Sequence, residues 1–189
     1  LADGDIKALC LENSHNYSGG TCLPVKTTRA VCDLARKAGA HVHMDGARIF
    51  NAAVALGVDA RELAAPVDSM MFCVSKGLCA PVGSVLVGDK AFIDKARQTC
   101  KLFGTAMRQA GVIAAPGIYA LNHNRTRLAQ DHQNARLFGE TLARQAGSVQ
   151  VLPVYTNIVL LDVKSARFGE RELMEALGRQ GVLAHQVPG

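Results

Sequence analysis

Lys76 follows directly on the apolar run Asp68-Ser-Met-Met-Phe-Cys-Val-Ser75, and Asp45 closes an earlier one, Ala40-His-Val-His-Met-Asp45. An amine and a carboxylate at the ends of neighbouring strands can divide one task. The amine condenses with a carbonyl while the carboxylate keeps a ring nitrogen protonated, and these are the two groups that a pyridoxal phosphate (PLP) site requires. A lysine beside a low-dielectric strand end also loses its proton more readily, as a nucleophile must. Each residue alone has an ordinary reading: a strand-end lysine reaching solvent, an aspartate capping a strand or helix. Arg48, three positions past Asp45, adds a planar guanidinium suited to a carboxylate or phenolate oxygen, or to a surface ion pair.

Ligands of open α/β sheets collect beyond the carboxyl ends of the strands, so the polar residues found there are the candidates. Asn13 and His15 lie in the polar turn Glu12-Asn-Ser-His-Asn-Tyr-Ser-Gly-Gly20, where they could face a ligand or satisfy backbone groups. Ser75 precedes Lys76, and the stretch Lys101 to Gln109 supplies Lys101 and Arg108. His41, His43 and Asp45 share one strand face and open like the zinc motif of metallo-β-lactamase-like hydrolases. That motif continues with a second histidine after the aspartate. Gly46 stands there instead, and no metal is expected.

The elements that must position these residues alternate. A short strand over Ile6 to Leu11 leads to a helix over about Pro24 to Lys37, closed by Gly39. The strand ending at Asp45, short helices over Phe50 to Ala55 and Ala60 to Ala64, and the strand before Lys76 follow, the last expected to be buried on both faces. Gly83 to Gly88 reads as another strand and Asp89 to Leu102 as a helix. The expected class is α/β, a mostly parallel sheet with helices on both faces. Longer helices then cover Arg108 to Leu121, with Pro116 as a kink, and Thr126 to Gln145, stopped by Gly147. Asn157 to Val163, a helix over Glu170 to Arg179 and a strand over Val182 to His185 begin a smaller β-α-β unit. The boundary is expected near residue 130, dividing 1–130 from 131–189.

With 189 residues, 49% hydrophobic and 20% charged, the composition is that of a soluble globular protein of one domain, or one and part of another. A net charge of +5 spread among acidic residues, with three Tyr and no Trp, argues against nucleic acid and suits an anionic ligand. No apolar run approaches the roughly 20 residues of a membrane span. Six cysteines at irregular spacing without CxxC fit reduced thiols of a cytosolic protein. The start, Leu1-Ala-Asp-Gly-Asp-Ile, has neither initiator methionine nor signal peptide, so a piece of something longer is expected.

Glu12-Asn-Ser-His-Asn16, His43-Met-Asp-Gly-Ala-Arg-Ile-Phe-Asn-Ala52, Ser75-Lys-Gly-Leu78 with Ala80-Pro-Val-Gly-Ser84, and Met107-Arg-Gln109 stand in the order and spacing of the low-specificity L-threonine aldolases. The chain resembles that family from about Ile6 to at least Asn134. The resemblance implies a fold-type I PLP enzyme of the cytoplasm, a homo-oligomer (dimer or tetramer) in full-length form, that cleaves β-hydroxy-α-amino acids such as L-threonine or L-allo-threonine into glycine and acetaldehyde. Residues 1–130 would be the C-terminal part of its PLP-binding large domain and 131–189 an incomplete small domain. It implies Lys76 as the Schiff-base lysine and Asp45 on the pyridinium nitrogen. Arg48 would meet the phenolate side or the substrate carboxylate, with Ser75, Asn13 and His15 also at the cofactor. Lys101 would lie close to the cofactor and Arg108 near its phosphate or a subunit contact. The family's ring-stacking histidine and phosphate loop would precede Leu1, and its carboxylate-clamping arginine would follow Gly189. Two departures stand out: Gly104-Thr105-Ala106 replaces three glycines, and Cys79 stands where glycine is frequent. A β-eliminating lyase using the same lysine and aspartate, and a catalytically incomplete domain, are the alternatives.

Overall fold

The computed structural model of the chain describes residues 6–145, 149–163 and 169–187. Four strands form one sheet in chain order: β1 (Ala8–Glu12), β2 (His41–Asp45), β3 (Ser69–Cys73) and β4 (Ser84–Gly88). β1, β2 and β3 are parallel, and β4 runs antiparallel to β3. The register aligns Glu12 with Asp45, Asp45 with Met71, and Cys73 with Ser84. The carboxyl ends of the three parallel strands and the start of β4 therefore share one edge.

Side chains alternate across a strand, so Leu9, Leu11, Val42, Met44, Met70 and Phe72 project from one face. Helices α1 (Val25–Lys37), α2 (Ile49–Leu56) and α3 (Ala60–Ala64) supply the residues that pack with them. One cluster joins Cys32, Ala35, Ala40 and Val42, and the next joins Met44, Ile49, Ala52, Ala53, Leu63 and Met70. Met44, Ile49 and Leu63 are fully buried, each burial stabilising by about 1.5–3 kcal/mol. α3 begins with a capping box, in which the Asp59 carboxylate accepts from Arg61 N–H and Glu62 accepts from Asp59 N–H.

A polar clasp holds the N-terminal edge. Asp68 accepts from Val42 N–H at 2.7 Å and from the Arg36 guanidinium at 2.9 Å, tying α1, β2 and the start of β3 together. The Val42 N–H, and after it Arg36, hold the Asp68 carboxyl below the usual aspartate range.

α4 (Lys90–Leu102), capped by Asp89, packs against β4, with Phe92 beside Gly88 on the second face of the sheet. α5 (Gly111–His123) and α6 (Leu128–Gln145) follow. They meet the segment between β3 and β4 in a third cluster of Val74, Leu78, Ala80, Ala120 and Leu128. β5 (Gln150–Val151) and β6 (Leu161–Asp162) make a two-stranded antiparallel sheet, followed by α7 (Glu170–Arg179).

The class is the expected one, and the details differ in four places. Met71 and Cys73 of β3 are half-buried, because α1, α2 and α3 cover the opposite face. α5 begins at Gly111, since Gln109 has φ +49° and interrupts any helix through it. The strand expected over 157–163 shrinks to Leu161–Asp162, and Val182 to His185 is not a strand: no partner strand lies beside it among the described residues. The expected helix stop at Gly147 lies outside the described residues.

Candidate functional site

β1, β2 and β3 deliver their following loops to the shared edge, and these loops carry most of the candidates. Asp45 is the last residue of β2 and is exposed. Its Oδ1 accepts from Ala47 N–H at 2.9 Å, which fixes the carboxylate plane, while its carbonyl accepts from Asn13 N–H at 2.9 Å. Gly46 follows with its N–H on Met71 O at 2.8 Å. A Cβ at Gly46 would lie 2.9 Å from that same carbonyl oxygen, closer than side chains approach backbone. The histidine that a zinc motif needs here has no room. His43 instead shares a 2.8 Å hydrogen bond between its Nδ1 and Ser69 Oγ, across the β2–β3 pair.

Arg48 is half-buried at the N-cap of α2, and Ser75 and Lys76 are exposed just beyond β3. Among the described residues, neither Arg48 nor Lys76 has an ion pair or side-chain hydrogen bond, so both side chains remain open to a ligand. The Lys76 segment itself is held firmly. Cys79 N–H donates to Lys76 O at 2.8 Å, Ala80 N–H to Val74 O at 2.9 Å, and Val74 N–H to Gly83 O at 3.0 Å. Asn124 of the α5 C-cap donates to Leu78 O at 2.7 Å.

The turn after β1 divides its residues between two tasks. Asn13 is fully buried, its amide donating to Leu23 O at 3.0 Å and accepting from Leu23 N–H at 3.2 Å, so it holds the turn closed. His15 is half-buried. Its Nδ1 accepts from Ser18 N–H at 3.2 Å, leaving Nε2 toward Glu12 Oε2 at 3.5 Å. Ser14 Oγ is buried without a hydrogen-bond partner in the same turn.

Lys101 and Arg108 are both exposed, on α4 and the loop after it. β4 carries the chain away from the shared edge. The 13 residues of α4, about 20 Å long, then lead from the far end of β4 to Lys101 and the loop that carries Arg108.

The two family departures behave differently. Gly104 has φ +68° while Thr105 and Ala106 avoid the left-handed region, so the side chains there carry no backbone strain. Cys79 sits at φ +62°, which does favour glycine.

An aldehyde, a protonated pyridine nitrogen and an anionic oxygen would find at this edge an amine, an oriented carboxylate and a guanidinium. That donor set fits PLP. A family profile described as β-eliminating lyase matches residues 3–166. The chain belongs to the β-eliminating lyase family. Within and around this family, it is 43% identical over 179 residues to low-specificity L-threonine aldolase 1 of Arabidopsis thaliana, covering 94% of this chain and 50% of that protein. It is 43% identical over 167 residues to the low specificity L-threonine aldolase of Escherichia coli K12, covering 87% and 49%. The chain thus spans about half the length of the curated relatives it matches. A solved structure from Exiguobacterium sp. 255-15, a candidate aromatic amino acid β-eliminating lyase/threonine aldolase, superposes with TM-score 0.77 at 25% identity, over 85% of this chain and 46% of that one.

Sequence reasoning passed over one feature of this family member. Asn51 of α2, 3% exposed, donates through Nδ2 to His132 Nε2 of α6 and to Asn157 Oδ1, each at 3.1 Å. His132 is also 3% exposed, and burial first, then Arg136, pushes its imidazole below the usual range. Its signal in the sequence is an asparagine inside the apolar run Ile49-Phe-Asn-Ala-Ala-Val-Ala-Leu56.

Proposed function

We propose that this chain is the cofactor-bearing part of a PLP-dependent aldolase that splits L-threonine or L-allo-threonine into glycine and acetaldehyde. The observation that carries this reading is the convergence, at one sheet edge, of exposed Lys76, the Ala47-held carboxylate of Asp45, and Arg48 at the head of α2. The low-specificity L-threonine aldolases that the chain resembles supply the substrate class and the bond that breaks.

Bound PLP supplies an electron sink for the pair released from the Cα–Cβ bond. Lys76 is the amine that would hold the cofactor through its aldehyde. Asp45 keeps the ring nitrogen protonated, which its fixed orientation on Ala47 N–H supports. Arg48 meets the phenolate side or the substrate carboxylate. Ser75 and His15 border the cofactor, Asn13 closes the turn that carries His15, and Lys101 and Arg108 approach from the α4 side. Residues 1–130 belong to the large domain and 131–189 to a small one. The separate sheet of β5 and β6 supports that division. We assign the full-length enzyme a homo-oligomeric state, supported by Leu102, Phe103 and Val112 standing 71% exposed or more beside the α4–α5 loop. A cytoplasmic setting is supported by six unpaired cysteines. Among the described residues no helix is long and apolar enough to cross a membrane.

The test is product analysis on the whole protein with PLP and L-threonine. Glycine and acetaldehyde in equal amounts are expected, together with borohydride-fixed cofactor on the Lys76 peptide, and Lys76→Ala removes both. A keto acid and ammonia instead would overturn the aldol reading in favour of β-elimination.

A further inference from the structure

The loop bearing Lys76 rests on groups that have no part in the chemistry above. A Cβ built on Gly77 would lie 2.8 Å from Leu128 Cδ2 and 3.4 Å from Asn51 Oδ1, so the backbone just after Lys76 lies directly against the Asn51 amide. Asn51 is one helical turn beyond Arg48 in α2, and its own N–H donates to Arg48 O at 2.9 Å. Its Nδ2 hydrogens are divided between His132 and Asn157. One buried amide therefore touches the Lys76 turn, the helix headed by Arg48, α6 and the segment around Asn157. Such a group is poorly explained as packing alone. An apolar residue of similar size would fill the space without the desolvation that the two buried side chains, Asn51 and His132, incur.

We propose that Asn51, His132 and Asn157 are positioning residues, a hydrogen-bonded network that sets the Lys76–Gly77 backbone against α2 and thereby fixes the lysine amine relative to Arg48 and Asp45. His132 acts as the acceptor. Burial keeps the ring neutral, and with Asn51 donating to Nε2 its proton lies on Nδ1. The network is shared between α2 and residues far along the chain, so the C-terminal part of the protein sets the geometry of a lysine it does not touch through its own catalytic groups. The functional half of this inference rests on reading Lys76 as the cofactor's amine.

The deciding experiment uses the whole protein, stripped of cofactor, and follows amide exchange by mass spectrometry in peptides spanning 74–83. His132→Leu removes the acceptor, and His132→Gln offers an oxygen in its place. Val42→Ala loosens the core under α1 and, compared at equal global stability, reports what general destabilisation does. In His132→Leu, exchange in 74–83 is expected to rise about tenfold above Val42→Ala, with His132→Gln returning to within about threefold of wild type. Equal exchange in His132→Leu and Val42→Ala overturns the proposal. Asn157→Ala, at an exposed position, carries the same test should His132→Leu not fold, with a rise of about threefold expected. With PLP restored, His132→Leu is expected to lower kcat about tenfold or more with KM little changed. A looser loop with unchanged kcat overturns the functional half. Wild type that binds no PLP sinks the aldolase reading instead and leaves the exchange result standing.

Discussion

Replacing Cys79 with glycine is expected to stabilise the protein. A residue with a Cβ held in the left-handed region costs about 1–2 kcal/mol relative to its preferred conformation, and Cys79 sits there at φ +62°. It has no easy route out. The peptide before it is held at both ends, Leu78 O by Asn124 and Cys79 N–H by Lys76 O, and the next N–H, of Ala80, is held by Val74 O. Glycine removes the steric cost but widens the unfolded ensemble, which returns about 0.4–1 kcal/mol. Removing the thiol itself forfeits little, since Cys79 is exposed and Arg127 Nη1 stands 3.7 Å from its sulfur. The net gain is about 0.5–1 kcal/mol, or roughly 1–4 °C in Tm for a chain of this size. Cys79→Ala is the control, because alanine keeps the Cβ and therefore the strain, and its stability should stay within about 0.5 kcal/mol of wild type. Urea denaturation of both variants reads the difference. If Cys79→Gly is no more stable than Cys79→Ala, the backbone at this position is not strained and the reasoning fails.

Asp68 gives an acid-limb prediction. Its folded pKa is depressed by Val42 N–H and Arg36, so its contribution is complete above the unfolded value of about 3.9 and disappears as pH falls from there through the folded value. Asp68→Asn should cost about 1 kcal/mol near neutrality, a low figure because the side chain is 33% exposed, and should flatten that limb in pH-dependent melts. Gly46→Ala should lose about 1–3 kcal/mol by denaturant titration, since its new Cβ meets the pinned Met71 carbonyl; a neutral result would show that β2 and β3 can part at this edge. Asp45→Asn should reduce kcat at least about a hundredfold, some 2.7 kcal/mol, while PLP affinity changes by less than about tenfold. Loss of binding without loss of kcat would assign Asp45 to anchoring alone.

Much of the candidate site was legible because the groups proposed for it end apolar segments. Asp45 and Lys76 stand where periodicity stops, and chemistry at the carboxyl edge of a parallel sheet follows from strand direction alone. The reversal at β4 was within reach as well: the segment 74–83 is too short for a parallel crossover, which takes a dozen residues or more. The buried network was not within reach, since Asn51 and Asn157 are 106 residues apart and a polar residue in a helix is ordinarily a surface residue. The half-exposed second face of β3 was missed for a related reason, because an apolar run records what a strand tolerates and not which neighbours cover it. Cys79 shows both sides. Its departure from glycine is visible in the residues, but only the backbone angle says that it strains where Thr105 and Ala106 do not.

The antiparallel β4 has a consequence for when the Lys76 amine, the proposed nucleophile, is placed. After a parallel crossover, the lysine would hang on a connection leaving the edge for a helix, with one end anchored there. Here both ends of its connection are paired at the same edge, Cys73 with Ser84 and Val74 N–H with Gly83 O, and the interior is stitched by Lys76 O and Val74 O. The chain entropy of closing that loop, on the order of 1–2 kcal/mol for each residue fixed, is lost once, during folding. On the proposed reading of Lys76 as the cofactor's amine, only its four-carbon side chain is left to order when the ligand arrives. The antiparallel strand that follows Lys76 is thus what closes the loop carrying it.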